Sequence, residues 1–238
     1  MSWLQLDPQS IAHRARAASR VSTASMLACV VRGALGFALV SIAGFAPWAL
    51  AGRWLHQTVG EIGMYAACAV VFTSLSGPFL HRLIIGAGTL FRFYLLFGAG
   101  FGAYALAWTI AWMTLRGHVG GLIGLLSGTL AMAWIFVRAF GAAGLWAKVT
   151  LELFAGNAVG YFAGGWVEGK IARINAMHLL DAGVDRPALR VVAMLMWGLC
   201  YGIGFGVGLG LAFYHCQTRA RALLSVGGPS ESEAAIPR

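Results

Sequence analysis

The stretch GLCYGIGFGVGLG, residues 198–210, sets Gly198, Gly202, Gly206 and Gly210 four residues apart and places Gly204 and Gly208 between them. In water each glycine in a helix interior costs about 1 kcal/mol against alanine, so a soluble helix has no use for this spacing. In lipid the balance differs. Helices there gain no hydrophobic energy from leaving one apolar medium for another, and they associate through close backbone contact, which small residues permit. Residues 198, 202, 206 and 210 then line one shallow groove. Residues 204 and 208, turned by about 200° from 202 and 206, line a second groove on nearly the opposite side. The pattern predicts a membrane helix gripped by neighbours on two faces.

Composition extends that reading to the whole chain. Of 238 residues, 59% are hydrophobic and 11% charged, against the ~25% charged content of soluble domains. Mean hydropathy is +0.76. Apolar runs close to the ~20 residues that a ~30 Å hydrocarbon core requires of a helix recur at 33–52, 62–80, 94–115, 119–137, 149–167 and 191–213. The expected fold class is therefore all-α, a polytopic transmembrane helix bundle of about six spans.

Around those spans the sequence divides simply. Residues 1–32 read as a basic amphipathic interfacial helix, opened by Asp7 as N-cap and Pro8 at the first helical position. Residues 33–215 form the transmembrane helical domain, and residues 216–238 read as a disordered cytoplasmic tail, rich in Ser, Gly and Pro toward its end. The interrupted stretch 76–93 is too short to span between Arg82 and Arg92, and is expected to be a surface helix.

The formal net charge is +9 from 17 Lys and Arg against 8 Asp and Glu. These cations sit at span ends instead of on one basic face, which points to membrane topology and away from nucleic acid. With six spans and the N-terminus inside, eleven cations collect on the inner side and six outside, four of the six in the single connection 168–190. The excess orients both termini toward the cytoplasm of a bacterial inner membrane. Cys29, Cys68, Cys200 and Cys216 form no CxxC pair and read as small apolar fillers.

Four-residue glycine spacing recurs at Gly120, Gly124 and Gly128 and at Gly156, Gly160 and Gly164. Repetition on three helices predicts either a compact bundle packed on itself or surfaces that receive other helices. The partners expected are the lipid bilayer and, beyond it, further copies of the chain or other membrane subunits.

Chemistry has few places to sit. Glu152 is the one acidic residue well inside a span, and an intramembrane carboxylate costs a few kcal/mol unless it finds a partner or a polar interior. Lys148, one turn earlier on the same face, offers an ion pair. Asn157 points about 140° away from Glu152 and is expected to serve a different neighbour. Glu152, Asn157 and Lys148 are thus the candidate ion- or substrate-binding residues. No HExxH, GxSxG or Walker lysine is present, so no catalytic residue and no metal site is assigned. No cofactor is expected. A haem held between His81 and His215 is disfavoured, because both histidines fall at span ends instead of projecting into the bundle.

Two functions fit these features. One is a small permease or channel-like protein moving a cation, proton or small solute through the glycine-packed bundle, with Glu152 at its site. The other is a non-catalytic scaffold or accessory subunit whose glycine grooves receive partner helices or pigments in a larger membrane complex.

Overall fold

The computed structural model describes residues 4–18, 23–176 and 186–226. It is helical throughout, with no strand among the described residues. The helices are α1 (Pro8–Ala17), α2 (Met26–Leu80), α3 (Thr89–Leu115), α4 (Gly117–Ala139), α5 (Trp146–Ala176), α6 (Arg186–Cys216) and α7 (Thr218–Val226), with single 3-10 turns at His81–Leu83 and Ala143–Leu145.

Four helical stretches are long and apolar enough to cross a membrane: Met26–Leu83, Thr89–Leu115, Gly117–Ala139 and Pro187–Cys216. The sequence suggested about six spans, and the difference has two sources. The runs 33–52 and 62–80 belong to one helical element, α2. The run 149–167 lies in α5, whose glycines, Glu152 and Asn157 keep it less apolar than the rest.

α2 is not one straight rod. Gly60, at φ 73° and ψ −179°, interrupts it in a region of backbone space that is essentially restricted to glycine. The arms on either side fold back on each other. A methyl group placed on Gly36 would stand 2.8 Å from Leu80, one on Gly44 2.5 Å from the Phe72 ring, and one on Gly52 3.9 Å from Met64. The chain reverses again at Arg116, at φ 52° and ψ 174°, between α3 and α4. The two reversals are tied together. Arg116 donates to Glu61 Oε1 at 2.8 Å and Oε2 at 3.2 Å, and Tyr65 donates to the same carboxylate at 2.8 Å. This two-pronged bond holds a non-glycine residue in a conformation that costs about 1–3 kcal/mol.

The rods form a closed ring. The first arm of α2 lies beside its second arm, the second beside α3 through Gly77 and Tyr94, α3 beside α4 through Gly128 and Tyr104, α4 beside α5 through Gly121 and Tyr161, α5 beside α6, and α6 beside the first arm of α2. Aromatic rings fill the centre. Phe93, Phe97 and Phe101 stack along α3 at 5.2 Å intervals, and Phe37 and Phe205 meet edge to face at 5.1 Å.

α6 has backbone against it on two faces. On one side a methyl on Gly202 would stand 2.6 Å from Ser41 Cβ, and one on Gly210 2.5 Å from the Cys29 carbonyl oxygen. On the other side a methyl on Gly156 would stand 2.5 Å from the Gly204 carbonyl oxygen, and one on Gly208 2.7 Å from that of Glu152. Gly206 meets Gly33, Gly198 meets Phe45, Gly160 meets Cys200 and Tyr201, and Gly164 meets Trp197. On α4, Gly120 and Gly124 face Ala111 and Trp108 of α3.

Three expectations about the flanking segments need correcting. The N-terminal helix ends at Ala17, and residues 26–32 already belong to α2, which Ser25 caps through its hydroxyl to Ala28 N. The C-terminal segment is not disordered from residue 216: α7 runs over Thr218–Val226 and buries Ala220 and Leu224, with the α1 guanidinium of Arg16 donating to Leu223 O at 2.6 Å. Residues 227–238 lie outside the described residues. The stretch 76–93 is no surface helix either. Gly86 and Gly88 take positive φ and break it, and Gln217 clamps the turn by donating to Leu83 O at 2.9 Å and accepting from Ile85 N at 2.8 Å. The connection 168–190 is described at its two ends only, since residues 177–185 are outside the described residues.

Thermal unfolding in detergent measures these contacts. Gly202→Ala and Gly208→Ala each force backbone apart and lower stability by about 1–3 kcal/mol, whereas Gly102→Ala, with nothing within 4 Å of the added methyl, leaves the midpoint unchanged or slightly raised. The clasp responds to pH. Arg116 and Tyr65 hold the Glu61 carboxyl down to about 2 from an ordinary 4.5, so its contribution is complete above pH 4.5 and is lost as pH falls toward 2. An acid titration of the midpoint shows a drop across that window in the native chain and a smaller one in Arg116→Gln; the pair is part-exposed, so the difference is modest and salt-sensitive.

Candidate functional site

Two polar features interrupt the apolar bundle, and α5 supplies one residue to each. The first lies where the start of α5 passes the end of α6. His215 Nδ1 stands 2.8 Å from Glu152 Oε1, with the two side chains only 18% and 11% exposed. The same nitrogen lies 3.1 Å from Leu211 O. A carbonyl oxygen only accepts, so Nδ1 carries the proton, and that N–H is shared between the carbonyl and the carboxylate. Glu152 Oε2 is buried with no partner, as is the neighbouring Thr150 hydroxyl.

Lys148 does not pair with Glu152. It is exposed, and among the described residues the carboxylate's one ion-pair partner is His215. Geometry explains the choice. The Glu152 backbone lies against Gly208 of α6, which turns its side chain along the α5–α6 seam, while a lysine at a helix end extends its long stem toward water. The i, i+4 spacing that suggested the lysine is overridden by a partner from the facing helix.

The second feature lies deeper. Asn157 is fully buried and donates from Nδ2 to the Tyr104 hydroxyl of α3 at 2.9 Å, while Tyr201 of α6 donates to the same hydroxyl at 3.2 Å. The chain Asn157–Tyr104–Tyr201 joins three helices through the aromatic centre. Asn157 Oδ1 has no partner. Turning the amide over lets Tyr104 donate to the oxygen but leaves the NH2 group without an acceptor, so one amide atom is orphaned in either orientation. Ser41 adds a separate bond, donating to Gly198 O at 2.6 Å across the α2–α6 seam.

Of the three candidate binding residues, then, the structure brings none together with another. Glu152 and Asn157 serve different neighbours, and Lys148 stands apart. His215 is the residue that the sequence did not connect to Glu152. The glycine register carries the signal: Gly156 opposite Gly204 and 208 opposite 152 mean antiparallel helices, and because side chains tilt toward a helix N-terminus, Glu152 and His215 lean toward each other across the two turns between them. His81 turns its Nδ1 to Gly77 O at 2.9 Å and belongs to a different helix end from the Glu152 pair.

The buried hydroxyl chain has a measurable worth. Tyr104→Phe strands both Asn157 and Tyr201, and is expected to lower unfolding free energy in detergent by about 1–3 kcal/mol. Tyr94→Phe removes a bond to Ser74 O that is reached by solvent and costs less than about 1 kcal/mol. Equal losses in the two variants contradict the network.

The sequence matches no protein-family model, and no curated protein or solved structure matches it.

Proposed function

We propose that this chain is a six-span integral membrane protein of the permease or channel-like class, moving a proton, cation or small solute, with Glu152 and His215 at its site. The six crossings are the two arms of α2 and the helices α3, α4, α5 and α6. Each arm or helix reaches the ~20 residues that a ~30 Å core demands. Arg14, Arg16, Arg32, Arg82, Arg92, Arg138 and Arg221 gather at one end of the bundle, and an excess of arginine marks the cytoplasmic side of an inner membrane. α1 and α7 then lie on the cytoplasmic surface with both termini.

The observation that carries the functional reading is the Glu152–His215 pair at 2.8 Å with the second carboxylate oxygen buried and unpartnered. One oxygen of this pair has no donor, which leaves it able to accept a proton or a cation. Asn157, Tyr104 and Tyr201 form a second, separate polar group deeper in the bundle. The described residues leave no continuous polar path through the aromatic core, so passage requires α5 and α6 to shift against each other.

The test is uptake into vesicles reconstituted with the purified protein, driven by a pH gradient and scanned over monovalent cations. Glu152→Gln is expected to reduce gradient-driven flux at least tenfold, and His215→Gln to reduce it as well by removing the carboxylate's partner, with the assembled protein intact by gel filtration. Flux through Glu152→Gln equal to that of the native chain removes the site from the proposal.

A second reading is a scaffold or accessory subunit. It draws on Gly102 of α3: an added methyl there finds nothing within 4 Å, and one on Gly98 meets only Thr73 of α2 at 3.8 Å, so among the described residues this stretch of α3 is only loosely covered. Native mass spectrometry in mild detergent decides it, because a stable monomer contradicts the scaffold and an obligate complex supports it.

A further inference from the structure

At the arginine-rich end, two guanidinium groups meet with no carboxylate between them. Gln5, a non-glycine residue at φ 49°, accepts from Arg14 Nη1 through its backbone carbonyl and from Arg92 Nη2 through its side-chain oxygen at 3.0 Å. Arg92 spends its remaining donors on Leu4 O and Gly88 O. Arg14 does not: its Nε and Nη2 are buried and unpartnered. Burial and the neighbouring Arg92 charge press the Arg14 guanidinium below the usual arginine range, against the smaller opposing pull of the Asp7 carboxylate. A cation left this way is costly, and an anion is the group that offsets that cost.

The surroundings say which kind. A groove of about 320 Å3 runs between Gln5, Gln9, Ser10, His13 and Arg14. Through Gln9 and His13 it joins a second groove of about 360 Å3 bounded by Ala12, Arg16, Ala17 and Leu223. The nearest carboxylate, Asp7, is engaged in capping α1 through Ser10 N at 3.0 Å and lines neither groove. The first groove offers amide, hydroxyl, imidazole and guanidinium donors, which suit phosphate oxygens. The second is walled by alanines and a leucine from α1 and α7, which suits an acyl chain or glycerol backbone. A free phosphate has no use for the apolar half.

We propose that the groove along α1 binds the headgroup of an anionic phospholipid from the leaflet this end faces, with Arg14, His13 and Ser10 around the phosphate and the α1–α7 seam beside the glycerol and upper acyl chain. The site is independent of any role for Glu152. It gives α1 a function as a lipid-locked strap: the lipid supplies the charge that Arg14 lacks and fixes α1 over the ends of α3 and α7.

The experiment uses the full chain in mild detergent, titrated separately with phosphatidylglycerol, phosphatidylcholine and sodium phosphate, and read by native mass spectrometry and by the thermal midpoint. Phosphatidylglycerol is expected to bind at least tenfold more tightly than phosphatidylcholine and to raise the midpoint, and Arg14→Gln to remove that preference. Arg219→Gln, an exposed cation on α7 away from the groove, keeps it. Should Arg14→Gln fail to fold, His13→Ala, at an exposed position, reads the same site and is expected to weaken phosphatidylglycerol about threefold. Equal retention of the two lipids overturns the site, as does a full preference in Arg14→Gln or, where that variant does not fold, in His13→Ala. A midpoint raised as far by millimolar phosphate as by the lipid overturns the lipid assignment in favour of a free anion.

Discussion

Contact between bare backbones along α6 is the constraint on which the rest of this bundle depends. Carbonyl oxygens of Cys29 on one side and Glu152 on the other stand where side chains of Gly210 and Gly208 would begin. No apolar side chain produces that proximity, because in an apolar solvent burying one adds little. What binds the rods is dispersion between closely apposed main chains, and it works only while the ridge carries no Cβ. Fixing α6 against the first arm of α2 and against α5 sets the spacing of the ring, and the spacing sets how much room the aromatic rings from α3 and α6 have to fill.

That filling is itself specific. Phe93, Phe97 and Phe101 recur at four-residue intervals on α3 and stack nearly parallel, whereas the rings they face, such as Phe205 against Phe37, meet edge to face. The two geometries are the favourable ones for aromatic pairs. Because the seams along α6 are glycine and the centre is aromatic, bulk is concentrated on the axis of the ring. The polar chain Asn157–Tyr104–Tyr201 runs through that bulk and ties α3 to α5 and α6, which are not its neighbours in the ring.

Much of this was written in the sequence, and the parts that were not have identifiable reasons. The helical class and the apolar segments follow from composition and run length, which are one-dimensional properties. Glycine spacing on α6 reveals two grooves because helical periodicity is local. The partner of each groove is not local: nothing in GLCYGIGFGVGLG states that 202 meets Ser41 and 208 meets Glu152. Gly60 resembles any other glycine in a string, yet its φ of 73° turns one long helical run into two antiparallel arms. Arg116 was legible as a span-end cation but not as the residue that takes a glycine-like turn and clasps Glu61. The tail misled for a different reason. TRARALLSV is polar on average, and only its packing of Ala220 and Leu224 against α1 gives it a reason to be helical.

The partner of Glu152 shows how these levels connect. Sequence spacing alone favours Lys148, because an i, i+4 pair on one helix needs no knowledge of the fold. Closing the α5–α6 seam changes the competition. With Gly208 against its backbone, Glu152 has its carboxyl turned into the seam, where desolvation makes an unpaired charge expensive and a nearby imidazole valuable. Lys148 keeps its hydration by staying outside, and loses nothing. The same absence of side chains that lets two helices touch therefore decides which residue neutralises the acid between them. It also leaves Oε2 with no donor, because a surface made of glycine has no side chain with which to supply one.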